Sequence, residues 1–307
     1  MKSALLILTT FFYLTLFSFS ASADTPAAGF FLPDSVNEMT LKYRTVKGLI
    51  ILPVTINDSI EVNLILDTGC RNLILFGNRF TNLFKINAGR PVMFSGLGSG
   101  NAVKGALSLG NKASIQQVLG EQIPIVLVRH SNLFANYPNV HGVIGYDIFV
   151  RFEIELNSAE RTITFRPASG SVAPAGYTTV PLRIVDARPV MQSRIFVEKN
   201  KKRGRLLELM IDTGSSLGLL LKTTNISEFN HHSTEKVLGI GLNGPLSGYE
   251  TIADKLVLTG MEMQGVPTGI VSSEWHNNAS IGMEILKDYI VILNYCQAYA
   301  CFKHKDA

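Results

Sequence analysis

Leu64-Ile65-Leu66-Asp67-Thr68-Gly69-Cys70 returns in the second half of the chain as Leu209-Met210-Ile211-Asp212-Thr213-Gly214-Ser215. Each copy is three aliphatic residues running into Asp-Thr-Gly. More aliphatics follow: Leu73, Ile74 and Leu75 in the first copy, Leu217, Leu219 and Leu220 in the second. An apolar run of this length between turn residues reads as a buried strand that delivers its carboxylate to a tight turn permitted by glycine. A lone buried aspartate is costly unless it is paired or hydrogen-bonded. Two of them, in matching contexts, point to each half supplying one member of a catalytic pair.

At these residues the chain resembles the aspartic proteases, the pepsin-like and retropepsin-like group whose signature is a hydrophobic pair followed by Asp-Thr-Gly-Ser/Thr/Ala. The resemblance implies a second signature in each half, a hydrophobic-hydrophobic-Gly element downstream. Val143-Ile144-Gly145 supplies it 78 residues after Asp67, and Ser280-Ile281-Gly282 supplies it 70 residues after Asp212. Asp147 and Glu284 sit two residues beyond those glycines and read as structural partners for nearby backbone or arginine.

Outward from these motifs the pattern is strand after strand. Ile50 to Ile56 and Ile60 to Leu66 flank the turn Asn57-Asp58-Ser59. Phe152 to Asn157 and Thr162 to Phe165 form a hairpin, which the second half repeats as Tyr289 to Asn294 and Ala300 to Phe302. Between the halves lies Arg166 to Gly176, a Pro/Gly/Ser/Ala stretch without periodicity, which reads as a linker. The expected domains are a leader at 1–23, a first lobe at 24–170 carrying Asp67, and a second lobe at 171–307 carrying Asp212. The fold class is all-β. The resemblance implies a bilobal pepsin-like fold, two homologous barrel-like lobes with the active site between them.

The glycine-rich stretch Phe94 to Asn101 invites a nucleotide reading, but no helical pattern follows it, so a strand-loop-helix phosphate cradle is missing. A β-hairpin flap over the cleft fits better, with Gly96, Gly98 and Gly100 at the substrate. Leu238-Gly239-Ile240-Gly241 echoes it, Gly241 lying as far from Asp212 as Gly96 lies from Asp67. Pepsin-like flaps carry a tyrosine that the first segment lacks; the candidate is Tyr249 in the second half. That departure leans toward the simpler retropepsin-like branch.

Met1 and Lys2, the apolar run Ala4 to Phe17 and Ala21-Ser22-Ala23 read as a secretory signal peptide, and no cysteine stands near the cleavage site for lipid attachment. The mature protein is therefore expected to be exported, to periplasm or medium, without stable membrane insertion. The chain has 307 residues, 46% of them hydrophobic and 17% charged, enough to bury a large core. Formal net charge is +4, too small to imply nucleic acid as a partner. The one basic run, Lys199 to Arg205, reads as a solvated hairpin tip.

Three cysteines are present. Cys296 and Cys301 straddle a short turn and could close a disulfide across a hairpin in an oxidising compartment. Cys70 stands where the family usually has Ser, Thr or Ala. A hydroxyl there can bond the outer carboxylate oxygen and a thiol does so poorly, so Asp67 is expected to be tuned differently from Asp212. The histidines show no metal spacing, and His231-His232 read as exposed loop residues. Trp275 is open between core and cleft rim.

The resemblance implies an endopeptidase that activates water between Asp67 and Asp212, with no metal or cofactor. Thr68, Gly69, Thr213, Gly214 and Ser215 support the pair, the threonines bonding across the pseudo-twofold axis, and Ile144, Gly145, Ile281 and Gly282 form the hydrophobic-Gly elements. The substrate is a peptide or protein and the chain is a monomer, because it already carries both aspartates. The alternative is a protease-like protein that keeps the cleft for binding peptides or proteins and has lost turnover.

Overall fold

The computed structural model describes residues 28–86, 91–129, 133–197, 204–229, 234–273 and 279–307. The leader at 1–23, residues 199–203 of the basic run, His130, His231, His232, His276 and Trp275 lie outside the described residues. The chain is all-β. Among the described residues the only α-helices are the single turns Tyr146–Phe149 and Met283–Leu286, and no helix is long and apolar enough to cross a membrane.

A nine-stranded sheet is built from the first half and an eight-stranded sheet from the second. Strand Ile60–Leu66 runs antiparallel to Leu49–Ile56 across the turn at Asn57 and Asp58, both left-handed with φ of 49° and 61°, a region these residue types tolerate. On its other side it pairs in parallel with Gly142–Ile144, Leu66 opposite Ile144. The second half repeats this: Arg205–Ile211 lies between antiparallel Arg188–Phe196 and parallel Ala279–Ile281, with Ile211 opposite Ile281. Flanked on both sides, each Asp-Thr-Gly strand is a central one; its first half carries Glu61 and Asn63 or Arg205 and Glu208, and only the last three residues, Leu64 to Leu66 and Leu209 to Ile211, are continuously apolar and buried.

Side chains nevertheless divide with period 2. Leu64, Leu66, Leu209 and Ile211 are fully buried in the core, each contributing about 1.5–3 kcal/mol of transfer free energy. Ile65 and Met210 point to the opposite face, where they line a cleft.

The third sheet has six strands and draws on both halves. The terminal hairpins of the two repeats join edge to edge, Phe152–Asn157 pairing with Tyr289–Asn294, an arrangement that reading each half separately did not anticipate. At the seam, buried Glu153 accepts hydrogen bonds from the Tyr299 hydroxyl and from Asn294 Nδ2, which also donates to Ala168 O at 3.0 Å. A buried carboxylate satisfied from the other half of the chain ties the two together.

The possible disulfide between Cys296 and Cys301 is not formed; both thiols are free. Strand register explains this. Cys301 sits within Tyr299–His304 opposite Ile292, fully buried, whereas Cys296 lies in the hairpin loop, exposed, its Sγ donating to Val150 O at 3.2 Å. A cross-strand bridge needs the two cysteines opposite one another.

Candidate active site

The strands Ile60–Leu66 and Arg205–Ile211 end side by side, and Asp67 and Asp212 are the first residues beyond them. The Asp67 amide donates to Ile144 O at 2.9 Å and the Asp212 amide to Ile281 O at 2.8 Å. Each hydrophobic-Gly element therefore continues the sheet beneath its own aspartate. Gly145 and Gly282 follow, with no room for a side chain: a Cβ at Gly145 would run into Cys70 O, and one at Gly282 into Leu217 O and Ser215 O. The loops then fold back, Tyr146 N donating to Cys70 O and Met283 N to Ser215 O, both at 2.8 Å.

The two turns are joined by a reciprocal set of buried hydrogen bonds. Thr68 N donates to Thr213 Oγ1 at 3.1 Å and Thr213 N to Thr68 Oγ1 at 3.0 Å. Thr68 Oγ1 donates in turn to Ile211 O at 2.6 Å, and Thr213 Oγ1 to Leu66 O at 2.8 Å. Every hydroxyl thus donates once and accepts once, and both side chains are fully buried. Four satisfied bonds in a dry site hold the turns in one relative position.

Above them the carboxyls converge. Gly69 N donates to Asp67 Oδ1 at 2.7 Å and Gly214 N to Asp212 Oδ1 at 3.1 Å. The Asp67 carboxyl packs directly on the Cα of Gly214, leaving no space for a Cβ there. Burial, followed by the neighbouring Asp212 charge, pushes Asp67 up to about 7. Burial also raises Asp212, opposed first by the Lys222 ammonium, then by the Gly214 amide and Arg188.

A cavity of about 290 Å³ lies over the pair. Two hairpins roof it: Val92–Phe94 with Val103–Ile115, and Lys236–Gly241 with Gly244–Leu258. Their tips bond to each other. Gly96 N donates to Asn243 Oδ1 at 3.0 Å, Gly100 N to Asn243 O at 2.6 Å, and Asn243 N to Leu97 O at 3.2 Å. Gly98 has φ 129°, a left-handed value suited to glycine, and Asn243 and Gly244 press on it so closely that no Cβ fits. Gly96 and Gly241 line the cavity. Tyr249 sits instead on strand Gly244–Leu258 opposite Ile270, away from the cavity lining.

Cys70 and Ser215 depart from expectation. The Cys70 thiol donates to Asn72 O at 3.1 Å, and Ser215 Oγ accepts from Leu217 N at 3.3 Å. Both side chains brace their own turns and neither bonds a carboxylate. Burial pushes the Cys70 thiol well above its ordinary range, so it stays protonated. Asp147 is largely buried, with hydrogen bonds from Leu73 N–H and Asn72, and burial raises it to about 6. Glu284 faces solvent and pairs with Lys287 at 3.1 Å.

Two cations in the cleft escaped sequence reading. Arg188 bridges the halves, its Nε donating to Gly69 O at 3.3 Å and its Nη1 to Asp186 at 2.7 Å. Lys222 lies on Leu219–Thr223, its side chain lining the cavity and only 7% exposed. Period-2 spacing from Leu220, itself a cavity residue, was the signal that could have found it. Among the described residues no cluster of His, Cys, Asp and Glu is arranged to hold a metal ion. No protein-family model matches this chain, and no curated protein matches it.

Proposed function

We propose that the protein is an aspartic endopeptidase with a bilobal, pepsin-like architecture, exported after removal of the leader at 1–23 and acting as a monomer on peptide or protein substrates. One observation carries the reading: two buried carboxyls from equivalent turns converge beneath a roofed cavity, each held by its own glycine amide and joined by the reciprocal Thr68–Thr213 bonds. Two such carboxyls titrate as a unit and share a proton.

The surroundings assign the roles. Asp67, raised by burial and by its neighbour, holds the proton. Asp212, facing the Lys222 ammonium, keeps the charge, while Arg188 bears on both carboxyls. A water between them loses a proton to Asp212 and attacks the scissile carbonyl, while protonated Asp67 donates a hydrogen bond to the developing oxyanion. The proton then passes to the leaving nitrogen, and no covalent intermediate forms. The hairpin tips bond to each other over the cavity, so they part at Asn243 to admit a polypeptide and close again to exclude water.

The test is cleavage of unfolded casein by residues 24–307 from pH 3 to 8, beside Asp67→Asn and Asp212→Asn. The reading expects cutting by the wild type and a loss of at least roughly 10²–10⁴-fold in each variant. Folded wild type that never cuts at any pH would leave the protein as a peptide-binding relative without turnover.

A further inference from the structure

The repeat allows the two walls of the cleft to be matched residue by residue. Strand register makes Leu49 equivalent to Arg188, Ile65 to Met210, Val143 to Ser280, Ile74 to Leu220, and Phe76 to Lys222. On the Asp67 side Phe76 packs edge-on against Phe134, ring centroids 5.1 Å apart, in an apolar wall. On the Asp212 side the same position carries an ammonium.

Among the described residues that ammonium touches no anion directly, although it lies within electrostatic reach of Asp212. Lys222 is nine-tenths buried, yet it makes no hydrogen bond or ion pair with any residue of the chain among those described. Burial lowers its proton affinity, and Asp212 opposes that only at a distance. A largely buried ammonium without a direct anionic contact is costly, and this one opens on the cavity, where an incoming anion can reach it. A second polar group on the same face of the sheet is also unmatched: Ser280, on the neighbouring strand opposite Leu220, has a buried hydroxyl without a partner among the described residues, where the first half has Val143. Arg188, the other cation, is already engaged by Asp186 and Gly69 O.

We propose that Lys222 forms an anion subsite on the Asp212 side of the cleft, which takes a substrate carboxylate, while the Phe76 side takes an apolar or aromatic residue. Resting on the protease reading, it makes the enzyme selective for peptides that pair a hydrophobic residue with an acidic one across the scissile bond. The carboxylate is an Asp or Glu side chain or the free carboxyl terminus of the peptide. Both present the same two oxygens to the ammonium, and peptide length distinguishes them.

The experiment measures peptide binding to the Asp67→Asn variant, which separates the subsite from turnover. The probes are hexapeptide amides identical except for Glu or Gln at successive positions, together with the matching free acids. One position should favour Glu over Gln by about 10- to 100-fold, or the free acid should win over the amide by the same factor if the terminus is the ligand. Adding Lys222→Met should abolish the preference and Lys222→Arg should retain it; Lys222→Gln serves in place of Met should that variant fail to fold. Equal binding of Glu, Gln, acid and amide, or a preference that survives Lys222→Met, overturns the proposal even if casein is cut. A Lys222-dependent preference in a protein that never cuts casein sustains the subsite and removes the protease reading.

Discussion

The two halves of the chain build the same scaffold and furnish it differently. Beneath the carboxyls they are nearly interchangeable: Thr68 answers Thr213, Ile144 answers Ile281, and Gly145 answers Gly282. In the cleft they diverge, Leu49 and Phe76 in one wall facing Arg188 and Lys222 in the other. The parts that hold the carboxyls together have kept their symmetry. The parts that line the cleft have lost it. Repetition supplies a second carboxylate at the right place, but two identical surroundings would give neither aspartate a reason to be the base.

The largest effect should come where the symmetry of the turns is already imperfect. A Cβ at Gly214 would strike the Asp67 carboxyl itself, whereas one at Gly69 would meet the mobile end of Met210 at 2.9 Å and Asp67 Oδ1 at 3.0 Å. Gly214→Ala should therefore displace Asp67 and reduce kcat by roughly 10²-fold or more, and Gly69→Ala should cost much less. Parallel kinetics on the two variants check this. Equal losses would mean that the turns relax alike and that the asymmetry in packing has no consequence.

Below the carboxyls the expectation reverses, and the halves should behave alike. Thr68→Val removes the donor to Ile211 O and the acceptor for Thr213 N; Thr213→Val does the same at Leu66 O and Thr68 N. Each strands a buried carbonyl and a buried amide, so each should destabilise by about 1–3 kcal/mol in urea unfolding. The double variant should depart from additivity, because all four bonds belong to one network. Unequal single losses would break the symmetry inferred for the grip.

How much of this was legible beforehand follows from where the information lies. The strands, the turns and both Asp-Thr-Gly and hydrophobic-Gly elements were readable because each is a local pattern with a local cause: an apolar run between turn residues, or a glycine where backbone must approach backbone. The six-stranded sheet was not, since pairing Phe152–Asn157 with Tyr289–Asn294 leaves no mark on either strand alone. The unbridged Cys296 and Cys301 turn on which residue faces which across a hairpin, a matter of register. Lys222 shares the face of Leu220 by period-2 spacing, but that places it in the cleft only once Leu219–Thr223 is known to be a strand lining it.

Lys222 also sharpens the comparison through pH. On the proposed mechanism activity requires one proton on the pair, so the alkaline limb is expected to follow loss of the proton from Asp67, near pH 7, and the acid limb protonation of Asp212. The Lys222 ammonium works against the burial that raises Asp212. Without it Asp212 rises further, so in Lys222→Met the acid limb should move to higher pH while the alkaline limb holds, narrowing the bell. Stability carries its own sign. Asp67 is raised on folding above its unfolded value of about 3.9, so the folded state binds that proton more tightly. Stability should accordingly fall as pH climbs from about 4 toward 7, and Asp67→Asn should flatten that slope in urea titrations. A bell unchanged in Lys222→Met would return the difference between the two aspartates to some other cause.

The smallest effect should come from the position that looks most anomalous in sequence. Cys70 and Ser215 occupy equivalent places after the glycine, and a thiol where a hydroxyl is usual suggests that Asp67 is tuned through it. The geometry argues otherwise, because Cys70 donates to Asn72 O and Ser215 accepts from Leu217 N, each within its own turn. A serine hydroxyl at 70 can make the same bond to Asn72 O, and the thiol it replaces is neutral because burial holds it protonated. Cys70→Ser should therefore change kcat by less than about threefold, under roughly 0.7 kcal/mol in the barrier, and leave both limbs of the pH profile in place. If the alkaline limb moves instead, the hydroxyl has reached Asp67, and the residue after the glycine joins Lys222 in setting the two aspartates apart.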